Sequence, residues 1–409
     1  MVAPSVQKRI TTTLFASQGL FSASSILSFT LMPIISAHLG GSDAYAGIPP
    51  TVVMLGRAIA AYPVGWLMDR VGRRSGLSIG YILATLGAIL CVVSIQPWAS
   101  LLGFSIGGLL MGMGRGVIEQ ARFVAAEVYP QAQQAKAIGW IVLAGTFGAV
   151  GGPLLVDPSG HIAVSFGLHT HTGPYIFSAL LIAVALLLNI AFLRPDPMTI
   201  GQTLRDHTQT QEGIGRSLKL IFQDRSVRLG ACAMIIGQLV MTLIMVITPL
   251  HMNHHAHSAK AISWVIMAHT LGMYGLSSVT GQLITRFGRV PMIIIGAIIL
   301  AISAILTPIS TQMPLLIFAL FLLGLGWNFC FIAGSSLLSE NLMSTERGRT
   351  QGATETAIAL AAGAGSLSTG PVFASAGIVA ICAIGLAFSL ALFAGTSRWQ
   401  KRTRLTPTL

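Results

Sequence analysis

The sequence predicts an all-α membrane protein whose twelve transmembrane helices form two pseudo-symmetric six-helix bundles. Three observations lead to this fold class: a low content of charged residues, long charge-free runs and an internal repeat. Only 9% of the 409 residues are charged and 53% are apolar, whereas charged residues make up about a quarter of an ordinary soluble domain. A soluble protein of this size would have too little polar surface to face water.

Long runs without Asp, Glu, Lys or Arg supply the membrane spans. They cover residues 10–42, 75–114, 158–193, 290–339 and 356–397. Because about 20 apolar residues span a bilayer, the longest runs hold two helices each. Prolines at Gln96-Pro97, Met313-Pro314 and Gly370-Pro371 mark breaks within them. The predicted spans lie near 11–38, 46–68, 76–95, 99–125, 135–156, 173–193, 228–250, 261–285, 290–309, 313–337, 350–370 and 374–396.

The distribution of basic residues predicts the orientation. With the N-terminus in the cytoplasm, every Lys and Arg other than Arg57, Arg115 and Lys260 falls at or near the cytoplasmic face. We therefore expect both termini in the cytoplasm and a multi-pass location in the plasma (inner) membrane. The net charge of +12 then meets anionic lipid headgroups, and nucleic acid is not expected as a partner.

A repeat divides the spans six and six. Residues 55–73, LGRAIAAYPVGWLMDRVGR, align without gaps to 271–289, LGMYGLSSVTGQLITRFGR. A second alignment pairs Glu127, Lys136 and Gly139 with Glu340, Arg349 and Gly352. Two homologous halves explain both alignments. The predicted domains are an N-terminal bundle at 1–193, a cytoplasmic linker at 194–227 and a C-terminal bundle with a short tail at 228–409.

One motif carries a family resemblance. The run Gly65-Trp66-Leu67-Met68-Asp69-Arg70-Val71-Gly72-Arg73-Arg74, between the second and third spans, resembles motif A of the major facilitator superfamily. Helix count, linker and repeat extend the resemblance over essentially the whole chain. It implies a monomeric permease that moves a small molecule by alternating access. We expect no enzyme activity, no cofactor and no resident metal.

The residue types of this motif have a direct physical reading. Gly65 allows close helix approach, Gly72 permits a tight turn, and Asp69 can face the positive end of a neighbouring helix. The basic residues Arg70, Arg73 and Arg74 can pair with Glu127, and in the family such a cluster closes the cytoplasmic gate. The alternative is that these charges only set topology. The second copy comprises Gly281, Arg286, Gly288, Arg289 and Glu340, and it is predicted to be weaker because Thr285 replaces Asp69.

Glycines on the fifth span indicate the direction of transport. Gly139, Gly148, Gly152 and Pro153 resemble motif C, which is associated with the exporter branches of the family. Leu154-Leu155 replaces the closing Gly-Gly of that motif, which weakens the inference. The resemblance favours efflux by a proton antiporter, and ordinary small-residue helix packing is the alternative.

Charges at membrane depth are the candidates for proton coupling, because they are costly there and usually functional. Arg57 and Arg115 lie near the midplane, and Glu119 and Arg122 follow Arg115 on one face of the fourth span. Glu119 is the best candidate for a titrating carboxylate, held by both arginines. A permanently paired structural group is the alternative. Glu355 is either a second coupling carboxylate or a gate residue.

Further polar residues are candidates for contacts with the substrate. They are Gln18, Gln238, His269, Trp327 and Asn328. For His269, a hydrogen-bonded packing role is the alternative.

Outer-loop histidines could gather a transition metal, or they could be solvated or pH-sensing residues. They are His161, His169, His171, His251, His254, His255 and His257.

Three functions remain open at this stage. They are proton-coupled efflux of a small amphipathic molecule, metabolite uptake by symport, and metal export or sensing. No Walker loop or nucleophile elbow is present, which disfavours ATP-driven transport and enzymatic catalysis. The sequence does not identify the substrate.

Overall fold

The computed structural model describes residues 4–205, 216–340, 342 and 344–405. These residues divide into two compact units, Met1–Thr210 and Gln211–Leu409. In the first unit the α-helices are α1 (Pro4–Thr30), α2 (Met32–Gly40), α3 (Ile48–Val71), α4 (Arg73–Ile95), α5 (Leu101–Ile118), α6 (Ala121–Glu127), α7 (Gln131–Leu154), α8 (Val156–Ser165), α9 (Gly173–Phe192) and α10 (Pro197–Arg205). In the second unit they are α11 (Leu218–Ile221), α12 (Arg225–His254), α13 (Ala259–Tyr274), α14 (Ser277–Phe287), α15 (Arg289–Leu306), α16 (Met313–Glu340) and α17 (Ser344–Leu405).

The helices are long and apolar, and the described residues contain no strand, which confirms the all-α membrane fold. Among the described residues, 8 helical stretches are long and apolar enough to cross a membrane, or 9 if the bent pair α1–α2 is one span. Large apolar side chains point outward, as lipid-facing residues do. Examples are Leu102, Phe147 and Leu187, with exposed fractions of 72%, 65% and 65%.

The two units repeat one packing pattern. In the first unit α5 packs against α3 and α4, while α1 packs against α7 and α9. In the second unit α16 packs against α13 and α15, while α12 packs against α17. The helices at corresponding places in the two halves of the sequence therefore make corresponding contacts. This agreement supports the duplication inferred from the repeat.

Several spans that the sequence predicts as continuous are bent or broken. The first bends by 40° between α1 and α2. The fourth breaks between α5 and α6, where Gly114 and Gly116 are poor helix formers in the last turns of α5. The eighth breaks between α13 and α14. These breaks lie within runs of residues that hydrophobicity alone cannot distinguish from unbroken helix.

One predicted break is displaced in the structure. The prediction places the end of the eleventh span at Gly370-Pro371, but α17 continues through Pro371, and its non-helical residue is Gly377. Gly377 has φ 70° and ψ −171°, a conformation that is essentially restricted to glycine. The glycine therefore marks the kink, and the helix tolerates the proline.

The two ends of the predicted linker belong to different units. Helix α10 packs against α4 and α6 of the first unit, and α11 packs against α17 of the second. Residues 206–215 of the predicted linker lie outside the described residues.

Candidate functional site

Close contact between α3 and α5 places charged side chains together. A methyl group at Gly112 would overlap the carbonyl oxygen of Val53, and one at Gly116 would lie 2.6 Å from the carbonyl oxygen of Arg57. The two backbones can approach this closely only because glycine lacks a side chain. As a result, Arg57 on α3 reaches the carboxylate of Glu119 at the end of α5, with Nη2 2.8 Å from Oε2.

Arg57, Arg115 and Glu119 form a connected group, which we call the Arg–Glu triad. Arg115 Nε donates to Glu119 Oε1 at 2.8 Å. Each carboxylate oxygen of Glu119 thus accepts a hydrogen bond from one guanidinium group. A proton can take the place of an arginine at one of these oxygens only when that ion pair opens. The three side chains keep exposed fractions of 31%, 28% and 24%. Glu119 also terminates α5, which places the carboxylate at a break in a membrane helix.

Arg122 is separate from the triad. The sequence predicts it on the same helix face as Arg115 and Glu119, but α5 ends at Ile118 and the break removes the regular helical register. Its guanidinium lies 4.8 Å from the centre of the Phe123 ring. Its Nε is buried without a hydrogen-bond partner, and among the described residues it makes no ion pair with Glu119.

The motif A turn contains a second cluster, the first-unit ion cluster of Arg73, Glu127 and Asp196. Arg73 binds Glu127 through two parallel hydrogen bonds, with Nε–Oε2 2.9 Å and Nη2–Oε1 2.7 Å. Both side chains are largely buried, with exposed fractions of 14% and 15%. Paired charge-assisted bonds of this kind are among the strongest polar contacts in proteins. The sequence offers three arginines of the motif as partners of Glu127, and the described hydrogen bonds are those of Arg73.

Asp196, which follows α9, holds the start of α4. Its carboxylate accepts from the backbone N–H groups of Arg73 at 3.0 Å and Arg74 at 3.1 Å. It also accepts from the N–H of Met198 at 2.9 Å and so caps α10 as well. Gly72 has φ 90°, and a Cβ there would lie 2.5 Å from Asp196 Oδ2. The glycine is therefore required both by the backbone turn and by the nearby carboxylate.

The other motif A residues have different surroundings. Arg74 donates from Nη2 to the carbonyl oxygen of Ile190 at 2.6 Å rather than to Glu127. The Arg70 side chain is exposed. The Asp69 side chain and the surroundings of Gly65 lie outside the described part of the structure. The sequence predicts that Asp69 can face the positive end of a neighbouring helix, but it does not say which helix. Among the described residues, the carboxylate at the start of α4 is that of Asp196.

The second copy of the motif forms the second-unit ion pair of Arg289 and Glu340. Arg289 Nη1 lies 2.9 Å from Glu340 Oε2, and the exposed fractions are 36% and 52%. Arg289 Nε also donates to Ser336 Oγ at 2.9 Å. Gly288 has φ 89° and repeats the turn of Gly72. Arg286 lies over the ring of Phe287, and a Cβ at Gly281 would meet open space.

An ion pair between a partly exposed arginine and a buried carboxylate lies at the start of α17. Arg216 donates to Glu346 Oε1 from its backbone N at 2.7 Å and from Nε at 2.9 Å, and from Nη2 to Oε2 at 2.8 Å. Glu346 is fully buried. The hydrogen bond to Glu346 raises the pKa of Arg216 further above its already high value, so the guanidinium remains charged. This pair fastens the end of the linker to the second unit.

The α13–α16 crossing in the second unit is neutral. Asn328 Nδ2 donates to the carbonyl oxygen of Met273 at 2.6 Å and to Ser277 Oγ at 2.9 Å, and Oδ1 accepts from Thr280 Oγ1 at 2.6 Å. Asn328 is 1% exposed. Its amide therefore bridges the break between α13 and α14. The sequence predicts Asn328 as a substrate contact, and in the structure these hydrogen bonds occupy its amide group.

His269 lies at the same crossing and is 2% exposed. Its Nδ1 lies 3.1 Å from the carbonyl oxygen of Leu320 on α16. A methyl group at Gly324 would overlap the carbonyl oxygen of His269. This geometry favours the packing role.

Other cavity candidates retain polar or aromatic surfaces. Trp327 Nε1 donates to Gln238 Oε1 at 2.9 Å, and its ring stacks on Phe331 at 4.7 Å. Gln238 in turn donates to Thr242. In the first unit, Gln18 Oε1 is buried without a hydrogen-bond partner.

The motif C glycines differ in their surroundings. A methyl group at Gly148 would overlap the carbonyl oxygen of Gly19, and one at Gly152 would lie 2.5 Å from that of Ala23. These two residues therefore set the close contact of α7 with α1. A Cβ at Gly139 would meet open space. Pro153 lies within the last turn of α7, which ends at Leu154.

The outer histidines form small groups. His251 and His255 have ring centres 4.5 Å apart, and His169 and His171 have centres 4.7 Å apart. His161 lies on α8, 3.7 Å from Asp157. Within the described ranges, no group of three His, Cys, Asp or Glu side chains could hold a metal ion. The geometry of these residues gives the metal alternative no support.

Glu355 lies on α17 and is half-buried. Within the part of the chain that the structure describes, it forms no ion pair. It therefore differs from Glu119, whose two oxygens are both engaged.

Sequence reasoning missed the carboxylates Asp196 and Glu346. Asp196 stands before Pro197, and an Asp followed by Pro at the first helical position is a signal for the start of a helix. That signal indicates a cap on α10, but not the contact with α4, which is distant in sequence. Glu346 lies in the first turn of α17, where acidic residues are favoured.

Comparison with known proteins identifies one family. The family model of the Major Facilitator Superfamily matches residues 14–234 and 230–407. The MFS-type transporter YdeG of Bacillus subtilis is 35% identical over 95% of this chain and 91% of its own length. The riboflavin transporter RfnT of Brucella anthropi is 28% identical over 83% of this chain and 82% of its own. The crystal structure of a D-xylose-proton symporter superposes with a TM-score of 0.72 at 18% identity, covering 94% of this chain and 97% of the other.

Proposed function

Because the chain belongs to the major facilitator superfamily and is a membrane transporter, we propose that it exports a small amphipathic molecule in exchange for protons. The Arg–Glu triad carries this proposal. It places the carboxylate of Glu119 at a helix break, between two arginines that each occupy one oxygen. Charges at membrane depth are costly, so a group of three points to function.

The triad suggests a coupling cycle. Opening of either ion pair frees one oxygen of Glu119, which can then take a proton. Protonation in turn weakens the remaining pair, because it removes the negative charge that holds the arginine. Proton binding and rearrangement of α3 against α5 are thereby linked, and alternating access of the two bundles would follow. Glu355, which forms no ion pair among the described residues, is the second proton carrier in this scheme.

Efflux is supported by the resemblance to motif C, while the close α1–α7 contact at Gly148 and Gly152 fits ordinary helix packing equally well. Two probable multidrug-efflux transporters of Mycobacterium tuberculosis are 30% identical, but only over 24% of this chain. Uptake by symport is the second candidate. The similarity to the riboflavin transporter RfnT supports a metabolite as cargo in either direction.

The location also belongs to this proposal. We place the protein in the plasma (inner) membrane, with both termini cytoplasmic and the bundle acting as a monomer. On this orientation the first-unit ion cluster and the second-unit ion pair lie at the cytoplasmic face, where they close the inner gate.

The test uses everted membrane vesicles acidified inside by respiration, with a fluorescent amine reporting the pH gradient. Riboflavin and a panel of amphipathic compounds are added one at a time. An antiport substrate should dissipate the gradient in vesicles that contain the protein and not in vesicles that lack it. Glu119→Gln should abolish this response. Coupled transport that is unchanged in Glu119→Gln would contradict the assignment, and substrate-driven acidification in right-side-out vesicles would favour symport.

A further inference from the structure

The charges at the α3–α5 crossing do not balance. Arg57 and Arg115 supply two positive charges, and Glu119 supplies the negative charge of the triad. Arg122, one helical turn further along, adds a third guanidinium. In a low-dielectric environment an excess of positive charge is costly unless an anion or water compensates it.

Arg122 shows the imbalance directly. Its Nε is buried without a hydrogen-bond partner. A buried donor that stays unsatisfied is costly, and more so when it is charged. Among the described residues, Arg122 Nε is therefore donor capacity that the Glu119 carboxylate does not use.

A narrow cleft lies beside the triad, with room for about one water molecule in this conformation, and it must widen to admit a larger molecule. It lies among α1, α3, α4, α5 and α9 of the first unit, and its apolar lining includes Phe21, Phe29 and Met111. Arg115 is the charged residue of this lining, and Ser25 and Ser28 contribute hydroxyl groups. Arg115 and Arg57 keep side-chain exposed fractions of 28% and 31%, so parts of both side chains stay accessible.

These features favour one class of ligand. An acidic group can accept hydrogen bonds from guanidinium groups in the fork geometry that carboxylates and phosphates match. The apolar lining suits a hydrocarbon or aromatic body. A cation would face two arginines across a single carboxylate and would be repelled.

We propose that the transported molecule is a small organic anion, with its acidic group on Arg115 and Arg57 and its apolar body against Phe21 and Met111. This inference rests on the proposed transport function and adds the charge of the cargo. Glu119 and the acidic group then compete for the same arginines. Binding of the anion therefore loosens Glu119 and favours its protonation, and this positive coupling of cargo and proton at one site corresponds to symport, the second candidate above.

The test measures binding rather than transport. Purified full-length protein in detergent is titrated with matched sets of probes, and ligand-induced thermal stabilisation is the readout. One set is 2-naphthoate, 2-naphthamide and 2-naphthyltrimethylammonium, and another is indole-3-acetate, indole-3-acetamide and tryptamine. We expect the carboxylates to bind at least tenfold more tightly than the amides, and the cations not to bind.

Variants separate binding from folding. Arg115→Gln should weaken carboxylate binding about tenfold or more, and Arg115→Lys should retain part of it. Lys260→Gln removes a positive charge at an exposed position of the second unit that has no part in the proposed gate, and should leave binding unchanged. Glu119→Gln removes the competitor and should tighten carboxylate binding, an effect that simple loss of structure would not produce.

The outcomes distinguish this inference from the proposed function. Carboxylate binding that tightens in Glu119→Gln, in a protein that shows no proton exchange, would support the anion site and remove antiport. Binding of amides or cations in preference to carboxylates, or of no carboxylate at all, would overturn the anion site. Equal losses in Arg115→Gln and Lys260→Gln would overturn it too. A neutral or cationic compound that dissipates the proton gradient would overturn the anion site and leave antiport standing.

Discussion

The two halves of the molecule share a repeat but differ in their polar chemistry at equivalent places. In the first unit, Arg73 and Glu127 form two parallel bonds at exposed fractions of 14% and 15%. In the second unit, Arg289 and Glu340 occupy the same repeat positions at 36% and 52%. Ion pairs between exposed groups contribute about 0–1 kcal/mol, whereas breaking a buried pair by removing one partner costs about 3–5 kcal/mol. The first half therefore carries the stronger contact.

The same contrast appears at the helix crossings. The register that pairs Glu127 with Glu340 places Asn328 opposite Arg115. The first unit has an ionic triad at this place, and the second has an amide that bridges two helix segments. Both halves have kept the same packing of the helices after the duplication. At this crossing the described charged groups lie in the first half. We infer that the first unit supplies the charged groups of the proposed cargo and proton site, whereas the second unit supplies a neutral helix crossing and the carboxylate of Glu355.

The largest expected effect is on the first-unit ion cluster. Glu127→Ala leaves Arg73 largely buried without its carboxylate, and should cost about 2–4 kcal/mol of stability. Thermal unfolding in detergent measures this loss, and the accessibility of a cysteine introduced at the proposed cytoplasmic face measures opening of the proposed gate. Glu340→Ala is the matched control in the second half and should cost less than about 1 kcal/mol. A loss in Glu340→Ala as large as in Glu127→Ala would contradict the asymmetry.

The next largest effect on stability is expected at the neutral crossing of α13 and α16. Asn328→Ala leaves the carbonyl oxygen of Met273 and the hydroxyl of Thr280 without their partner, at a cost of about 1–3 kcal/mol. Because this contact is structural in our account, the charge preference of ligand binding should not change. The naphthoate and naphthamide titration is the check. A changed preference would show that the second half also selects the charge of the ligand.

A smaller effect is expected for Asp196→Ala. It removes the acceptor for the N–H groups of Arg73 and Arg74, and loss of such a cap costs about 0.5–2 kcal/mol. Asp224 provides a matched control, since it caps α12 by accepting from Ser226 and Val227. Both alanine variants should lose similar stability, which thermal unfolding measures. Only Asp196→Ala should raise cysteine accessibility at the cytoplasmic face, and equal accessibility in the two variants would mean that Asp196 is only a helix cap.

The smallest effect is expected for Ser336→Ala. Its hydroxyl accepts from Arg289 at a partly exposed site. Loss of the bond should change stability by no more than about 0.5–1 kcal/mol, because water can replace the hydroxyl. Thermal unfolding would reveal a larger role for the second-unit ion pair if the loss exceeded that of Asp196→Ala.

Much of this architecture could be read from the sequence. Charge-free runs and the repeat predict the all-α membrane fold, and the pair Arg57–Glu119 follows from residues whose charge is costly in a bilayer. The pairing of Glu127 with Arg70, Arg73 or Arg74 follows from the resemblance to motif A. The structure brings both pairs together. Charge can be recognised in a single sequence because it is rare in membrane spans.

Other features could not be read in this way. The contact of Asp196 with α4 joins residues more than a hundred positions apart, and no local pattern encodes it. The breaks at Glu119 and Gly275 lie within residues that are apolar or helix-compatible on both sides. The role of Asn328 depends on which carbonyl oxygen a helix break leaves within reach. Each of these depends on tertiary contacts rather than on local propensity.

The central claim is the inequality of the two halves, and a pair of double-mutant cycles tests it most directly. One cycle combines Arg73→Ala with Glu127→Ala, and the other combines Arg289→Ala with Glu340→Ala, with the free energy of unfolding measured for each variant. We predict a coupling energy of about 2 kcal/mol or more for the first pair and below about 0.5 kcal/mol for the second. Equal coupling energies, or a larger one for Arg289 with Glu340, would contradict the account.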